Sequence, residues 1–278
     1  MSSGGGSPAH LTLADNDLFL YASNYCSGTI SVIAVHEDGA LELRQIVHHI
    51  TDPTVPCEEP QGISHVHQVT FSSNRTILVN DLGRNLVFEY ALENGLLQTP
   101  ATALTSSTTP GAGPRHTLIH PSQRYAFVIN ELVSSVTSYT FDAVTGGLGK
   151  PLQTLSTLRV GEDATDMAAA ELQVSSNGKY LYASNRDISS PNRGRSSLVV
   201  YRVDDMTGQL SVVQHVDTLG EHPRFFNFFL NETVVLVGNM NSDTVSIFVV
   251  DGHSGLLAAV NTTDLASIDS PAHILKLQ

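Results

Sequence analysis

An internal repeat of about 54 residues constrains this chain more than any other feature of its sequence. Five apolar segments each end in an asparagine, and these are Asn24, Asn80, Asn130, Asn185 and Asn239. They follow one another at intervals of 56, 50, 55 and 54 residues. A fixed period of this length means that each repeat is one small structural unit, which buries its apolar faces by stacking on its neighbours.

Each repeat predicts four β-strands. The segment after each asparagine alternates between apolar and polar residues, as in TISVIAV (29–35), and this period of two is typical of strands. A turn follows that ends in leucine (DGAL, NGLL, TGGL, TGQL and SGLL), and a last short strand follows in four of the five repeats. No segment has the spacing of an amphipathic helix. Four-stranded units of this length are typical of a β-propeller, and an all-β sandwich with accidental regularity is the alternative.

The predicted fold is therefore all-β, a propeller of four-stranded blades in one domain over 8–278, preceded by a flexible tail over 1–7. The blades are expected at about 8–50, 64–104, 113–158, 167–218 and 222–265, with a closing strand at 270–278. This gives five blades and one further strand. Either five blades close the ring, or blades that belong before residue 8 are missing.

Charge and composition exclude several classes of partner. The 27 acidic residues against 14 Lys and Arg give a net charge of −13, which argues against nucleic acid and against anionic membrane surfaces. No apolar stretch approaches the roughly 20 residues of a membrane-spanning helix, and the first residues lack the pattern of a secretory signal. Cys26 and Cys57 are interpreted as the reduced thiols of a cytoplasmic protein.

Two columns of the repeat predict a functional site. In a propeller the first strand of each blade lines the central channel, and its start lies beside the loop after the second strand. Side chains at the start of the first strand and just after each repeat asparagine should therefore converge. Most residues there are Pro, Ala, His or Asn, and the departures are His65, His67, Arg115, Glu131, Arg186 and Arg224, with Asp81 and Glu171 as weaker candidates. The recurring histidines His10, His116 and His273 favour a structural role.

These residue types suit a small anionic ligand. Guanidinium groups bind carboxylate or phosphate through two parallel hydrogen bonds. His67 and Glu131 could exchange protons with a bound water or substrate. A purely structural ion pair between Arg115 and Glu131 is the alternative. No metal site is predicted, because the histidines lack the close spacing of metal ligands.

Several motifs resemble the seven-bladed propeller lactonases. They are HVHQVTF (65–71), NDLGRNLVFEY (80–90), GPRHTLIHPSQRYAFVINELVSSVTSY (113–139) and HPRFFNF (222–228). The resemblance extends over 8–278. The family includes bacterial-type 6-phosphogluconolactonases and fungal 3-carboxy-cis,cis-muconate lactonizing enzymes. It implies an enzyme without metal or organic cofactor and a chain shortened at its N-terminus, since five blades are present where the family has seven.

The resemblance also implies roles for single residues. It assigns catalysis to His67 in HVHQV, Arg115 in GPRH, Glu131 in NEL and Arg186 in SNR. We expect further substrate contacts from His65, Asp81, His116 and Arg224. The substrate would be a small anionic lactone that is hydrolysed. Cyclisation of a carboxymuconate needs the same anion site and proton carrier and stays an alternative, as does a non-catalytic propeller that binds a partner.

Overall fold

Five antiparallel sheets form in the order in which their strands occur along the chain. The computed structural model describes residues 1–14, 17–49, 57–73, 75–106, 108–260 and 268–275. The first sheet consists of β1 (Pro8–Leu13), β2 (Phe19–Asn24), β3 (Thr29–Val35) and β4 (Leu41–His48). The second consists of β5 (Val66–Ser73), β6 (Thr76–Asp81) and β7 (Leu86–Glu93), with β8 (Leu96–Leu97) and β9 (Ala103–Ser106) both paired to β7.

The remaining three sheets have four strands each. The third consists of β10 (Pro114–Ile119), β11 (Tyr125–Asn130), β12 (Ser135–Asp142) and β13 (Gly147–Ser156). The fourth consists of β14 (Met167–Val174), β15 (Tyr180–Asp187), β16 (Ser197–Val203) and β17 (Leu210–Asp217). The fifth consists of β18 (Pro223–Phe229), β19 (Val234–Asn239), β20 (Thr244–Val250) and β21 (Leu257–Ala259).

The predicted all-β class and the four-stranded repeat are confirmed. The described residues contain strands, turns and bends but no α-helix, so no membrane-spanning helix is found among them. A fourth strand is present in all five sheets, where the sequence predicts it in four. The predicted strand at 270–278 does not form over 270–275, although the His273 ring lies 3.9 Å from Phe225 of β18. Residues 276–278 lie outside the described ranges.

The chain divides into two compact units. The first comprises 1–119, 123–128 and 139–150, and the second comprises 120–122, 129–138 and 151–278. In the first unit, the apolar core includes Tyr21, Ile30 and Val66, which are at most 1% exposed. In the second, it includes Phe226 and Phe248, which are fully buried.

Three of the five leucines that end the predicted turns are held by two hydrogen bonds from the sheet before them. Gln45 of β4 donates from Nε2 to the carbonyl of Leu97 (2.9 Å) and accepts from its N–H (2.9 Å). We call this reciprocal pair of bonds an amide clamp. It recurs between Gln153 and Leu210 and between Gln214 and Leu257. Each clamp joins consecutive sheets through the backbone of a turn leucine.

Glu89 of β7 occupies the glutamine's place between the second and third sheets. Its Oε1 accepts from the N–H of Leu148 at 2.9 Å, but a carboxylate has no N–H to donate in return. Burial raises the pKa of Glu89, and the bond from Leu148 only partly opposes that shift. This link is therefore half of an amide clamp.

The chain before β1 and the two cysteines also contact the first sheet's turn. The N–H of Tyr25 donates to the carbonyl of Ser7 at 3.0 Å. Cys26 in the same turn forms a disulfide with Cys57, across 31 residues of sequence. The interpretation of both cysteines as reduced thiols is wrong, because the fold brings their Cα atoms within 5.2 Å.

Completing the half clamp should stabilise the fold at neutral pH. A carboxyl group with a raised pKa in the folded state destabilises that state once it ionises, so stability decreases as the pH rises through the folded pKa. We expect Glu89→Gln to increase the free energy of unfolding by about 1 kcal/mol at pH 7. The gain should disappear near pH 4, where the wild-type carboxyl is protonated.

Urea denaturation at both pH values measures this effect. Glu93→Gln on the exposed end of β7 is the control, with an expected change within about 0.5 kcal/mol. Equal effects of the two substitutions at pH 7 would contradict this account of the sheet contact.

Candidate active site

β-bulges lie at the start of β5 and β18, the first strands of the second and fifth sheets. Val66 pairs with Asp81 and Gln68 pairs with Asn80, so His67 is the extra residue of a bulge. Arg224 is the extra residue at the start of β18, between Pro223 and Phe225. Bulges bend a strand and redirect its side chains, and they are common beside active sites. Two of the predicted site residues thus lie at points where the backbone departs from a regular ladder.

Three histidines of the first unit gather beside a buried arginine. The His116 ring lies 5.0 Å from the His67 ring and 5.4 Å from the His10 ring, both edge-on. Arg115 Nη1 lies 3.2 Å from Nε2 and 3.4 Å from Nδ1 of His116. Closeness to both ring nitrogens places the guanidinium against the face of the imidazole. The group thus combines a fixed positive charge with rings that can donate or accept a proton.

His65 has a contact at each ring nitrogen and on the face of its ring. Its Nδ1 faces the carbonyl of Tyr25 at 3.1 Å and its Nε2 faces the carbonyl of Glu59 at 2.8 Å. The ring stacks on Tyr25 with centroids 4.3 Å apart, and Tyr25 also meets the edge of the His67 ring. His65 is fully buried. These bonds give His65 a positioning role beside His67.

Asp81 joins His65 to a second histidine. Its Oδ1 accepts from the N–H groups of His65 (2.8 Å) and Arg84 (3.1 Å). Its Oδ2 lies 2.7 Å from Nδ1 of His49, whose Nε2 lies 2.9 Å from the Tyr90 hydroxyl. Burial and the nearby Asp81 charge raise the pKa of Tyr90 to about 12. Asp81 is fully buried, so its carboxylate links His65, Arg84 and His49 inside the protein.

The second unit contains Glu131 and Arg186, two of the four predicted catalytic residues. Arg186 at the end of β15 forms an ion pair with Glu131, with Nη2 2.8 Å from Oε1. Nη2 also donates to the carbonyl of Ala169 (3.2 Å), and Nη1 lies 3.4 Å from Nε2 of His222. The side chains of Arg186 and Glu131 are 5% and 18% exposed. Nε of Arg186 is buried and has no hydrogen-bond partner among the described residues.

A second ion pair fixes the strand end that carries Arg186. Asp187 accepts from Arg195 at both oxygens, with Nη2 3.1 Å from Oδ1 and Nε 3.2 Å from Oδ2. Ser189 donates its hydroxyl to Oδ1. Burial acts to raise the pKa of Asp187, but the bonds from Arg195 and Ser189 outweigh it and hold the pKa well below its usual range.

The other candidates lie on first strands or beside them. Glu171 is buried on β14 and Arg224 is half-buried on β18. Burial lowers the pKa of His273, against the opposing effect of the Glu171 charge. No group of three metal-ligating side chains is found within the ranges that the structure describes.

Sequence reasoning overlooked two residues of these groups. His222 contacts Arg186, and it immediately precedes the column that supplied Arg224, so a column one residue longer would have included it. His49 directly follows β4, and the other repeats have no histidine at the corresponding position. The four predicted catalytic residues fall into two groups, with His67 and Arg115 in the first unit and Glu131 and Arg186 in the second.

Removing Arg195 should destabilise the protein by leaving a buried carboxylate unpaired. We expect Arg195→Met to lower the free energy of unfolding by about 3 kcal/mol at pH 7. A lowered pKa stabilises the fold only above the unfolded value of about 3.9, and this stability is lost as the pH falls through the folded pKa. The difference from wild type should therefore shrink at pH 3, as measured by urea denaturation.

Arg193→Met is the matched control for this experiment. Its ion pair with Asp166 is exposed, and such pairs contribute less than about 1 kcal/mol. A loss at Arg193 as large as that at Arg195 would argue against the buried pair as the stabilising contact.

Comparison with known proteins identifies the family. The model of the family described as "Lactonase, 7-bladed beta-propeller" matches residues 1–275. The chain is 30% identical to the 6-phosphogluconolactonase of Bacillus subtilis over 263 residues, which cover 93% of this chain and 70% of that protein. It is 31% identical to the 6-phosphogluconolactonase of Formosa agariphila over 257 residues, covering 91% of this chain and 70% of that protein.

Solved structures agree with the sequence comparison. The periplasmic gluconolactonase of Pseudomonas aeruginosa aligns with a TM-score of 0.80 at 29% identity, covering 95% of this chain and 71% of that one. A Lactobacillus plantarum protein aligns with a TM-score of 0.82 at 29% identity, covering 95% and 72%. The resemblance in the motifs is confirmed, and this chain belongs to the seven-bladed β-propeller lactonase family.

Proposed function

We propose that this protein hydrolyses 6-phospho-D-glucono-1,5-lactone to 6-phosphogluconate, with His67, Arg115, Glu131 and Arg186 as its catalytic residues. The observation that carries the proposal is that each of two buried arginines lies beside a titratable side chain, His116 for Arg115 and Glu131 for Arg186. In a chain of net charge −13, these buried cations are suited to an anionic substrate. The names of the related bacterial enzymes support the choice of lactone.

The arginines bind the substrate's charge and stabilise the charge that develops in the reaction. A guanidinium binds phosphate through paired hydrogen bonds. When water attacks the ring carbonyl, negative charge develops on the carbonyl oxygen, and a fixed cation stabilises that charge. Nε of Arg186 supports this role, because it is a buried donor whose hydrogen bond a substrate oxygen could accept.

We assign the proton transfer to His67. The attacking water gives up a proton as its oxygen bonds to the carbonyl carbon. The bond from that carbon to the ring oxygen then breaks, and the ring oxygen takes a proton to become a hydroxyl. One imidazole can remove the first proton and deliver the second. Glu131 is engaged with Arg186 at 2.8 Å, so its part is to orient that guanidinium.

Substitutions at the site test these roles. His67→Gln and Arg115→Gln should each lower kcat/KM for the phosphorylated lactone by about 100-fold or more, through loss of proton transfer and of charge stabilisation. Glu131→Gln should lower it about tenfold, because Arg186 loses its orienting partner. Hydrolysis is followed by acid release, with the spontaneous rate subtracted.

Arg202→Gln is the control, because Arg202 is an exposed residue of β16 and should keep the wild-type rate. Wild-type hydrolysis by both His67→Gln and Arg115→Gln would overturn the assignment of the site. Binding of the lactone by wild type without turnover would favour a binding protein.

We propose that the protein resides in an oxidising compartment. The sequence predicts a cytoplasmic protein, and the Cys26–Cys57 disulfide favours an oxidising compartment instead. The related Pseudomonas aeruginosa enzyme is named as periplasmic. The proposed reaction involves a small anionic lactone and water, with no cofactor, nucleic acid or membrane.

A further inference from the structure

A cavity of about 360 Å³ lies in the first unit, apart from the residues assigned to lactone hydrolysis. Its walls come from the end of β4, from β7 and from the segment 99–104. None of His67, Arg115, Glu131 and Arg186 lines it. Its volume falls in the range of sites for small organic ligands, about 300–1,000 Å³.

One wall of the cavity is aromatic. The Phe88 ring lies 4.1 Å from the His49 ring and 6.3 Å from the Tyr90 ring, and the planes of Phe88 and Tyr90 differ by only 15°. Phe88 is only partly buried. Val47 and Leu104 add aliphatic surface. Stacked rings and aliphatic side chains favour a flat, apolar ligand body.

The cavity also has one cationic side chain. Arg84 lines it and is half-buried. Arg84 has no ion-pair partner among the described residues, in a chain where acidic residues outnumber Lys and Arg 27 to 14. A single guanidinium matches a single negative charge, and its planar pair of donors matches a carboxylate.

A buried hydroxyl is a further polar group in the lining of the cavity. Ser64 is fully buried and lines the cavity, and its Oγ has no hydrogen-bond partner within the described part of the chain. A buried hydroxyl without a partner costs about 1–3 kcal/mol. His49, in contrast, has a hydrogen-bond partner at both ring nitrogens. Asp81 and Tyr90 are these partners, and they fix the ring in the lining of the cavity.

We propose that this cavity binds an aromatic monocarboxylate. The ring of the ligand lies against Phe88, and its carboxylate binds the Arg84 guanidinium. A phosphorylated sugar acid does not suit this cavity, because its hydroxyl groups would lose water against apolar walls and its two or more charges would meet one cation. The cavity therefore differs in ligand class from the proposed lactone site.

A titration with 4-fluorobenzoate, followed by ¹⁹F NMR on the intact disulfide-bonded chain, tests the proposal. Wild type should bind it with a Kd of about 1 mM or tighter, given the affinity that a ligand of some ten heavy atoms can reach. Arg84→Gln should weaken binding about tenfold or more. Leu104→Trp should block binding by filling the cavity. Arg75 is exposed in the turn between β5 and β6, and Arg75→Gln should bind as wild type does.

Two further measurements keep the result independent of how the variants fold. The uncharged 4-fluorobenzyl alcohol should bind wild type about tenfold more weakly than the acid. Excess 6-phosphogluconate should leave 4-fluorobenzoate bound. The proposal is overturned by a wild type that does not bind the acid at 10 mM, by equal affinity for acid and alcohol, or by displacement with 6-phosphogluconate. The last result would place the aromatic acid in the lactone site and leave the proposed hydrolase activity unaffected.

Discussion

The structure depends on how each sheet is joined to the next. A four-stranded antiparallel sheet has two faces and cannot bury both alone, so the repeat is stable only when neighbouring sheets stack. The amide clamp of Gln45 on Leu97, repeated by Gln153 and Gln214, fixes this stacking through the backbone of the turn leucine. Because it uses both the backbone donor and the backbone acceptor of one residue, it determines the register between sheets as well as their contact.

A second contact recurs at three of the repeat asparagines and fixes the backbone where the second strand ends. Nδ2 of Asn24 donates to Thr29 and Ser31, and Nδ2 of Asn130 and Asn239 donates to hydroxyls at the same offsets. These bonds hold the second and third strands together where the chain turns. The residue that follows the asparagine is therefore fixed in space but free to vary in type. Glu131 uses this position for charge. Asn185, before Arg186, donates instead to the carbonyl of Thr157 and to Ser197, and Nδ2 of Asn80, before Asp81, has no hydrogen-bond partner within the described ranges.

The sequence predicts the sheets well because their strands are adjacent along the chain. Alternation in a segment such as TISVIAV depends only on neighbours a few residues apart, and the structure places it in β3. The proposed catalytic residues were found in the same way, since a repeated background makes a single charged departure visible. The local partners of those residues were harder to predict, because Arg186 meets His222 across 36 residues.

Contacts outside the repeat could not be predicted. The Cys26–Cys57 disulfide joins residues 31 positions apart, on either side of β3 and β4, and no periodic pattern sets the distance between its ends. The chain of Asp81, His49 and Tyr90 joins β6 and β7 of the second sheet to the residue that follows β4 of the first, and the other repeats have no histidine at that position. The cavity beside this chain depends on the side-chain packing of two sheets, and periodicity carries no information about such packing.

The buried arginines connect the fold to the proposed chemistry. Each arginine is buried among polar side chains on the repeated strands or beside them. A preorganised cation of this kind stabilises developing negative charge without rearranging. Hydrolysis of a phosphorylated lactone and cyclisation of a carboxymuconate both need such a cation, and they differ in the bond that forms. The most direct test offers purified wild-type protein each substrate separately and follows acid release and ultraviolet absorbance. We expect loss of 6-phosphogluconolactone in proportion to enzyme, well above the spontaneous rate, and no cyclisation of 3-carboxymuconate. Lactone loss at the spontaneous rate, with or without cyclisation of the muconate, would contradict it.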